Sequence, residues 1–163
     1  MSACLEPSAV VTRALATSDL DDVVRIENAS YPFPWTRGIF SDCLRVGYSC
    51  WALDYGEEFA GYSILTFGPE ETHLLNICID PALRNMGLGL ELLNWSIEKA
   101  FEAKSKIIFL EVRPSNGRAI KIYDQRGFRQ IGKRPRYYPC HDGREDACLM
   151  AMQLDTTIFQ AQG

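Results

Sequence analysis

The stretch from His73 to Ala103 constrains the fold more than any other part of the chain. An apolar run, Leu74 to Ile79, ends at Asp80 and Pro81, and Arg84-Asn85-Met86-Gly87-Leu88-Gly89 and a helical pattern follow. The next apolar run, Ile107 to Val112, is unbroken, as expected of a strand buried on both faces and joined in parallel to the first through a crossover helix. A strand that feeds a helix through a short glycine loop also builds an anion cradle, because the first amides of a helix lack internal partners and carry the positive end of its dipole. Gly87 and Gly89 let a phosphate approach the backbone closely and permit positive φ. Two better-known phosphate loops are excluded: Gly89 is followed by Leu90 and Glu91 rather than Lys-Ser/Thr, and the third glycine of G-x-G-x-x-G is replaced by Leu92. What remains, Arg-x-x-Gly-x-Gly, fits an anion cradle and an ordinary glycine turn equally well.

The rest of the chain supplies further short elements. Val10 to Leu15 reads as a strand, and Thr17 or Ser18 is positioned to cap a helix from about Asp19. Leu20, Val23 and Glu27 share one face of that helix, so Glu27 borders an apolar stripe. A hydrogen-bonded carboxylate at the helix edge is the preferred reading there, ahead of one that faces a substrate. Tyr31-Pro32-Phe33-Pro34-Trp35 breaks the helix and forms a rigid aromatic loop, and Thr36 caps another helix reaching about Arg45. Cys50 to Asp54 and Phe59 to Phe67 flank Tyr55-Gly56-Glu57 as a hairpin, closed by Gly68 and Pro69. After Gly87, Leu93, Ile97 and Ala100 form a packing stripe. Asn116 caps a helix that stops at Gly127, and Phe128 to Tyr138 pairs with Ala147 to Gln153 around His141-Asp142-Gly143.

Composition narrows the function classes. With 163 residues and 47% hydrophobic content the chain is read as one domain over residues 10–154, with tails at 1–9 and 155–163. A formal charge of −4 argues against a protein that grips nucleic acid through phosphates and suits a basic substrate. Six cysteines without a C-x-x-C, beside two histidines, lack zinc-site spacing and read as free thiols. The first eighteen residues hold no apolar run, and nothing approaches the roughly 20 apolar residues of a membrane helix. A cytoplasmic monomer is the expectation.

Among residues with chemistry, Glu111 stands out as a carboxylate at the end of a buried strand. Desolvation raises a carboxyl pKa and makes a better base, and a structural ion pair with Arg113 or with a neighbouring loop is the competing reading. Tyr123, two helical turns past Asn116, is either a core aromatic or an acid. Cys78 reads as a small core residue.

Taken jointly, the strand, Arg84-x-x-Gly87-x-Gly89, the helix, Leu110-Glu111-Val112-Arg113, Asn116, Tyr123 and Gly127-Phe128 resemble the GNAT acetyltransferases. That resemblance implies an α/β fold whose mixed, mostly antiparallel sheet has a splayed central parallel pair flanked by helices. Tyr31 to Trp35, Asn76 to Pro81, Glu111 to Asn116, Tyr137 to Pro139 and Asp142 to Ala147 are similar to the branch of bacterial ribosomal-protein alanine N-acetyltransferases, over about Asp19 to Leu154. The implied co-substrate is acetyl-CoA, with no metal. Its pyrophosphate would lie on the amides of Asn85, Met86, Gly87, Leu88, Gly89 and Leu90, and its pantetheine arm on the backbone of Ile77, Cys78 and Ile79, in a cleft where the parallel strands part. Asn116 corresponds to a CoA-contacting side chain, Glu111 to the base and Tyr123 to the acid. Tyr31, Phe33 and Trp35, with Tyr137 and Tyr138, would flank a groove for the basic N-terminal segment of a small-subunit ribosomal protein, without nucleic acid or membrane. Asn85 and Leu90 depart from the family loop, which often carries basic residues there. A small-amine acetyltransferase, acting on a polyamine or antibiotic, and a non-catalytic acetyl-CoA-binding module are the alternatives.

Overall fold

Local chemistry sets most element boundaries in the computed structural model, which describes residues 9–154. The expected tail at 155–163, the first eight residues and Cys4 lie outside the described residues. Strands β1 (Val10–Ala14), β2 (Ser49–Tyr55), β3 (Glu58–Gly68) and β4 (Glu71–Ile79) are interleaved with helices α1 (Leu20–Ser30) and α2 (Arg37–Arg45). Helix α3 (Leu88–Glu102), β5 (Ile107–Val112), α4 (Gly117–Arg126), β6 (Arg129–Cys140) and β7 (Gly143–Gln153) complete the order.

Capping follows the sequence signals at two helices and departs from them at a third. The Ile39 amide donates to Thr36 Oγ1 at 3.4 Å, and the Ala119 amide donates to Asn116 Oδ1 at 3.3 Å. Gly127, at φ +117°, ends α4 in the left-handed conformation. Neither Thr17 nor Ser18 caps α1. A 3₁₀ turn, Thr17–Asp19, precedes it, and Asp19 Oδ2 accepts the Ala16 amide at 2.8 Å. Arg13 fixes that carboxylate through two bonds of 2.9 Å and holds it below the usual carboxylate range.

The seven strands lie in the order β1-β2-β3-β4-β5-β7-β6, with β4 and β5 parallel and β1/β2, β2/β3, β5/β7 and β6/β7 antiparallel. This is the mixed sheet that the resemblance implies. The parallel ladder sets Glu71 opposite Ile107, Thr72 opposite Ile108 and His73 opposite Phe109, only part of the length of either strand. Strand β4 begins three residues before its apolar run because Thr72 is buried with a partner, its Oγ1 lying 2.6 Å from Ser105 Oγ. Pro135 and Pro139 are tolerated in β6 because it is an edge strand, and its pairing with β7 shifts register between Arg134 and Tyr138.

The chain divides into two compact units. One gathers residues up to Thr66 with Leu75–Ser96, and the other Phe67–Leu74 with the chain from Ile97 onward. In the first, Leu20, Val23 and Ile26 of α1 pack with Phe40, Ala52, Tyr62, Ile64 and Cys78, while Leu53, Ala60, Ile79, Leu88 and Leu92 form a second cluster. Gly61 lets β3 approach β4 closely, since a Cβ there would sit 2.5 Å from the Cys78 carbonyl oxygen. In the second unit, Ile108, Leu110, Tyr123, Phe128, Ala147, Met150 and Ala151 are buried. No helix among the described residues is long and apolar enough to cross a membrane.

Candidate active site

In the second unit, the alternation of β5 decides what surrounds Glu111. Ile108, Leu110 and Val112 fill one face, which turns Ile107, Phe109 and Glu111 to the other. That other face is half covered rather than fully buried, which corrects the reading of a strand enclosed on both sides. The Glu111 side chain is nevertheless only 5% exposed. Its Oε2 lies 2.5 Å from His73 Nε2. Its Oε1 lies 2.9 Å from Arg134 Nε, but not in the alignment of a hydrogen bond, so Arg134 supplies charge more than a directed contact.

The ion-pair reading of this carboxylate holds with partners from other strands, and the expected rise in its pKa is overturned. The guanidinium beside it is that of Arg134, while Arg113 Nη1 donates to the Pro139 carbonyl at 2.8 Å and lies 3.5 Å from Glu145 Oε1. The Glu111 pKa is not raised. Burial pushes it up, but the hydrogen bond and charge of His73, with the charge of Arg134, outweigh burial and hold it below the usual carboxylate range.

Other predicted residues of this unit are placed around α4 and β6. Tyr123 is buried, its ring 5.7 Å from that of Phe128. Asn116 commits Oδ1 to the helix cap, accepting the Ala119 amide. Tyr137 and Tyr138 pack edge to face at 4.8 Å, and the Arg113 guanidinium lies 4.4 Å from the Tyr138 ring centre. Burial and the negative charge of Glu111 push both phenols upward. Thus Glu111, Tyr137 and Tyr138 share one electrostatic environment.

In the first unit, Glu27 is 2% exposed and takes three hydrogen bonds: Tyr62 Oη at 2.6 Å and Asn76 Nδ2 at 3.0 Å on Oε1, and the Trp35 amide at 2.9 Å on Oε2. The preferred reading of a hydrogen-bonded carboxylate holds. Glu27 thereby pins the end of the aromatic loop, whose Tyr31 hydroxyl donates to the Ile77 carbonyl at 3.3 Å and whose Trp35 ring lies 5.3 Å from Phe40. Phe33 is exposed. Cys78 is a buried core thiol on Ser30, with Sγ 3.2 Å from Oγ, and Ile79 is buried beside it.

The glycine loop turns sharply ahead of α3. Asn85 and Gly87 take φ of +66° and +83°, Met86 packs partly buried, and α3 starts at Leu88. The Leu88 side chain is buried and anchors the helix start, while Leu90 is exposed. A Cβ on Gly89 would meet only Ile79 Cγ1, at 3.8 Å. Arg84 turns to Ser30, where Nη2 donates to Oγ at 3.1 Å. His73 and Arg134 were missed by the sequence reading. The scarcity of histidine was the one available signal, since the chain has two and one of them opens the organising stretch.

Residues 20–128 match the model of the acetyltransferase (GNAT) family. The chain is 35% identical over 141 residues to the ribosomal protein bS18-alanine N-acetyltransferase of Escherichia coli K12, covering 86% of this chain and 95% of that one. The Haemophilus ducreyi enzyme of that name is 32% identical over 141 residues, at 86% and 97% coverage. The crystal structure of the Escherichia coli enzyme superposes with a TM-score of 0.81 at 34% identity, covering 88% of this chain and 93% of that one. Ard1 from Thermoplasma volcanium, at 24% identity, gives a TM-score of 0.81 and shares the fold.

Proposed function

The chain belongs to the acetyltransferase (GNAT) family and is an acyltransferase, and on that premise we propose that it moves the acetyl group of acetyl-CoA to the N-terminal alanine of ribosomal protein bS18. The near-full-length likeness to the Escherichia coli enzyme is the observation that supports this substrate. In this reading the amides of Asn85 to Leu90 receive the pyrophosphate, and the positive φ of Asn85 and Gly87 supports that role by curling the loop ahead of α3. The backbone of Ile77 to Ile79 receives the pantetheine arm, and Asn116 Nδ2 a further polar atom of CoA. Tyr31, Phe33, Trp35, Tyr137 and Tyr138 contact the peptide.

The chemistry is direct transfer between two bound substrates. An α-amine of pKa about 8 costs about 1.4 kcal/mol to deprotonate at pH 7, against about 4.6 kcal/mol for a lysine near 10.4. The enzyme therefore needs a group that accepts a proton in passing, not one that keeps it. Glu111, ionised and held below the usual carboxylate range, fits that requirement: it takes the proton of the α-ammonium and passes it to water. The neutral amine attacks the thioester carbonyl, the N–C bond forms as the C–S bond breaks, and strand amides steady the oxyanion. The Tyr123 hydroxyl gives its proton to the departing thiolate, and the second proton of the attacking nitrogen, released as the amide forms, restores the phenol.

Mass spectrometry of a peptide with a free N-terminal alanine, basic residues and an internal lysine, incubated with acetyl-CoA and the protein, tests the reading. Acetylation of the alanine amine alone is expected. Acetylation of the lysine, or of polyamines in place of the peptide, overturns it.

A further inference from the structure

Glu111 is faced from three neighbouring strands, and the groups on them differ in kind. From β4 comes His73, whose Nε2 is hydrogen-bonded to Oε2. From β6 come Arg134, at 2.9 Å from Oε1, and the phenols of Tyr137 and Tyr138. From β7 the residue opposite is Leu149, which carries no charge. The Arg134 side chain is half exposed and its geometry is not that of a hydrogen bond, so solvent screens it. His73 is four-fifths covered and its ring stacks on Phe109 at 4.4 Å and 19°, which fixes the direction of Nε2. The parallel ladder that places His73 beside Phe109 puts the imidazole on the same face of the sheet as Glu111.

We propose that His73 is a positioning residue for the acetyl transfer, holding the Glu111 carboxylate in the orientation in which it meets the substrate amine. The His73 hydrogen bond favours the charged form of the carboxylate, against the burial that favours the neutral form. The pair thus offers an open carboxylate to the substrate amine over a wider pH range than Glu111 alone. This rests on the reading of Glu111 as the group that accepts the amine proton.

The test is the peptide acetylation rate of His73→Ala and His73→Gln, each divided by the wild-type rate, from about pH 5.5 to 8, with Glu111→Gln measured alongside. His73→Ala is expected to lose roughly fivefold more activity at pH 5.5 than at pH 8, because Glu111 then protonates in the working range. His73→Gln keeps an N–H donor without the stacked ring that aims it, and is expected to regain most of the rate at pH 8 and to fall between the other two at pH 5.5. A His73→Ala to wild-type ratio that does not change with pH, or a His73→Gln enzyme no better than His73→Ala at pH 8, overturns the proposal while Glu111→Gln remains inactive. An active Glu111→Gln enzyme overturns the base reading itself.

Discussion

Glu27 and Glu111 are both nearly inaccessible carboxylates, each bordering an apolar element, yet they are solvated by different means. Glu27 is held by three neutral donors, Tyr62, Asn76 and the Trp35 amide. Glu111 is held by an imidazole and a guanidinium. Neutral donors arranged around a buried anion satisfy its lone pairs and fix neighbouring backbone, which makes Glu27 a clamp on the aromatic loop. Partners that can carry charge also set when the anion takes up a proton, and the proposed role of Glu111 as the base rests on that difference. Burial alone distinguishes nothing here; the identity of the partners does.

Substitutions that keep side-chain volume turn this contrast into measurements. Glu111→Gln is expected to lower turnover by about 100-fold or more, with a loss of stability limited to the share its ion pairing supplies. Glu27→Gln should do the reverse. One amide hydrogen must oppose a donor among Tyr62, Asn76 and Trp35, so chemical denaturation should show a loss of about 2 kcal/mol, while turnover at a temperature where the variant is folded stays near wild type. If Glu27→Gln instead abolishes turnover without loss of stability, the contrast breaks and both carboxylates are chemical. Arg134→Gln sharpens it by removing the screened cation. Its rate relative to wild type should fall only about twofold at pH 6 and be unchanged at pH 8.

The same partners give Glu111 a pH-dependent share in stability. Its folded pKa is depressed, so its contribution is fully present above the unfolded value of about 4.3 and fades as the pH drops through the folded value. Asp19 follows the same sign through Arg13.

What was legible in the sequence was local. Thr36, Asn116 and Gly127 mark helix ends within four residues of the groups they satisfy, and the structure keeps all three. The stripe of Leu93, Ile97 and Ala100 is buried as its spacing requires. The misses involve partners that are distant in sequence. Asp19 displaces Thr17 and Ser18 at the start of α1 because Arg13, on β1, grips it from outside the helix. Arg113 was the nearest cation to Glu111 along the chain, but β5 ends at Val112, and the guanidinium leaves the strand direction for Pro139 and Glu145. His73 lies 38 residues from Glu111 and just outside the apolar run that marks β4. Only the parallel register brings the two onto one face.

The thiols buried in the first unit supply a built-in stopwatch. Burial pushes the Cys43, Cys50 and Cys78 thiols upward, Cys50 to about 12, so at neutral pH they remain in the form that alkylating reagents ignore. Cys140 and Cys148 are only partly covered. The lag between fast and slow labelling therefore times how often the first unit opens, and a peptide that clasps the aromatic loop would lengthen that lag without any enzymatic turnover being measured.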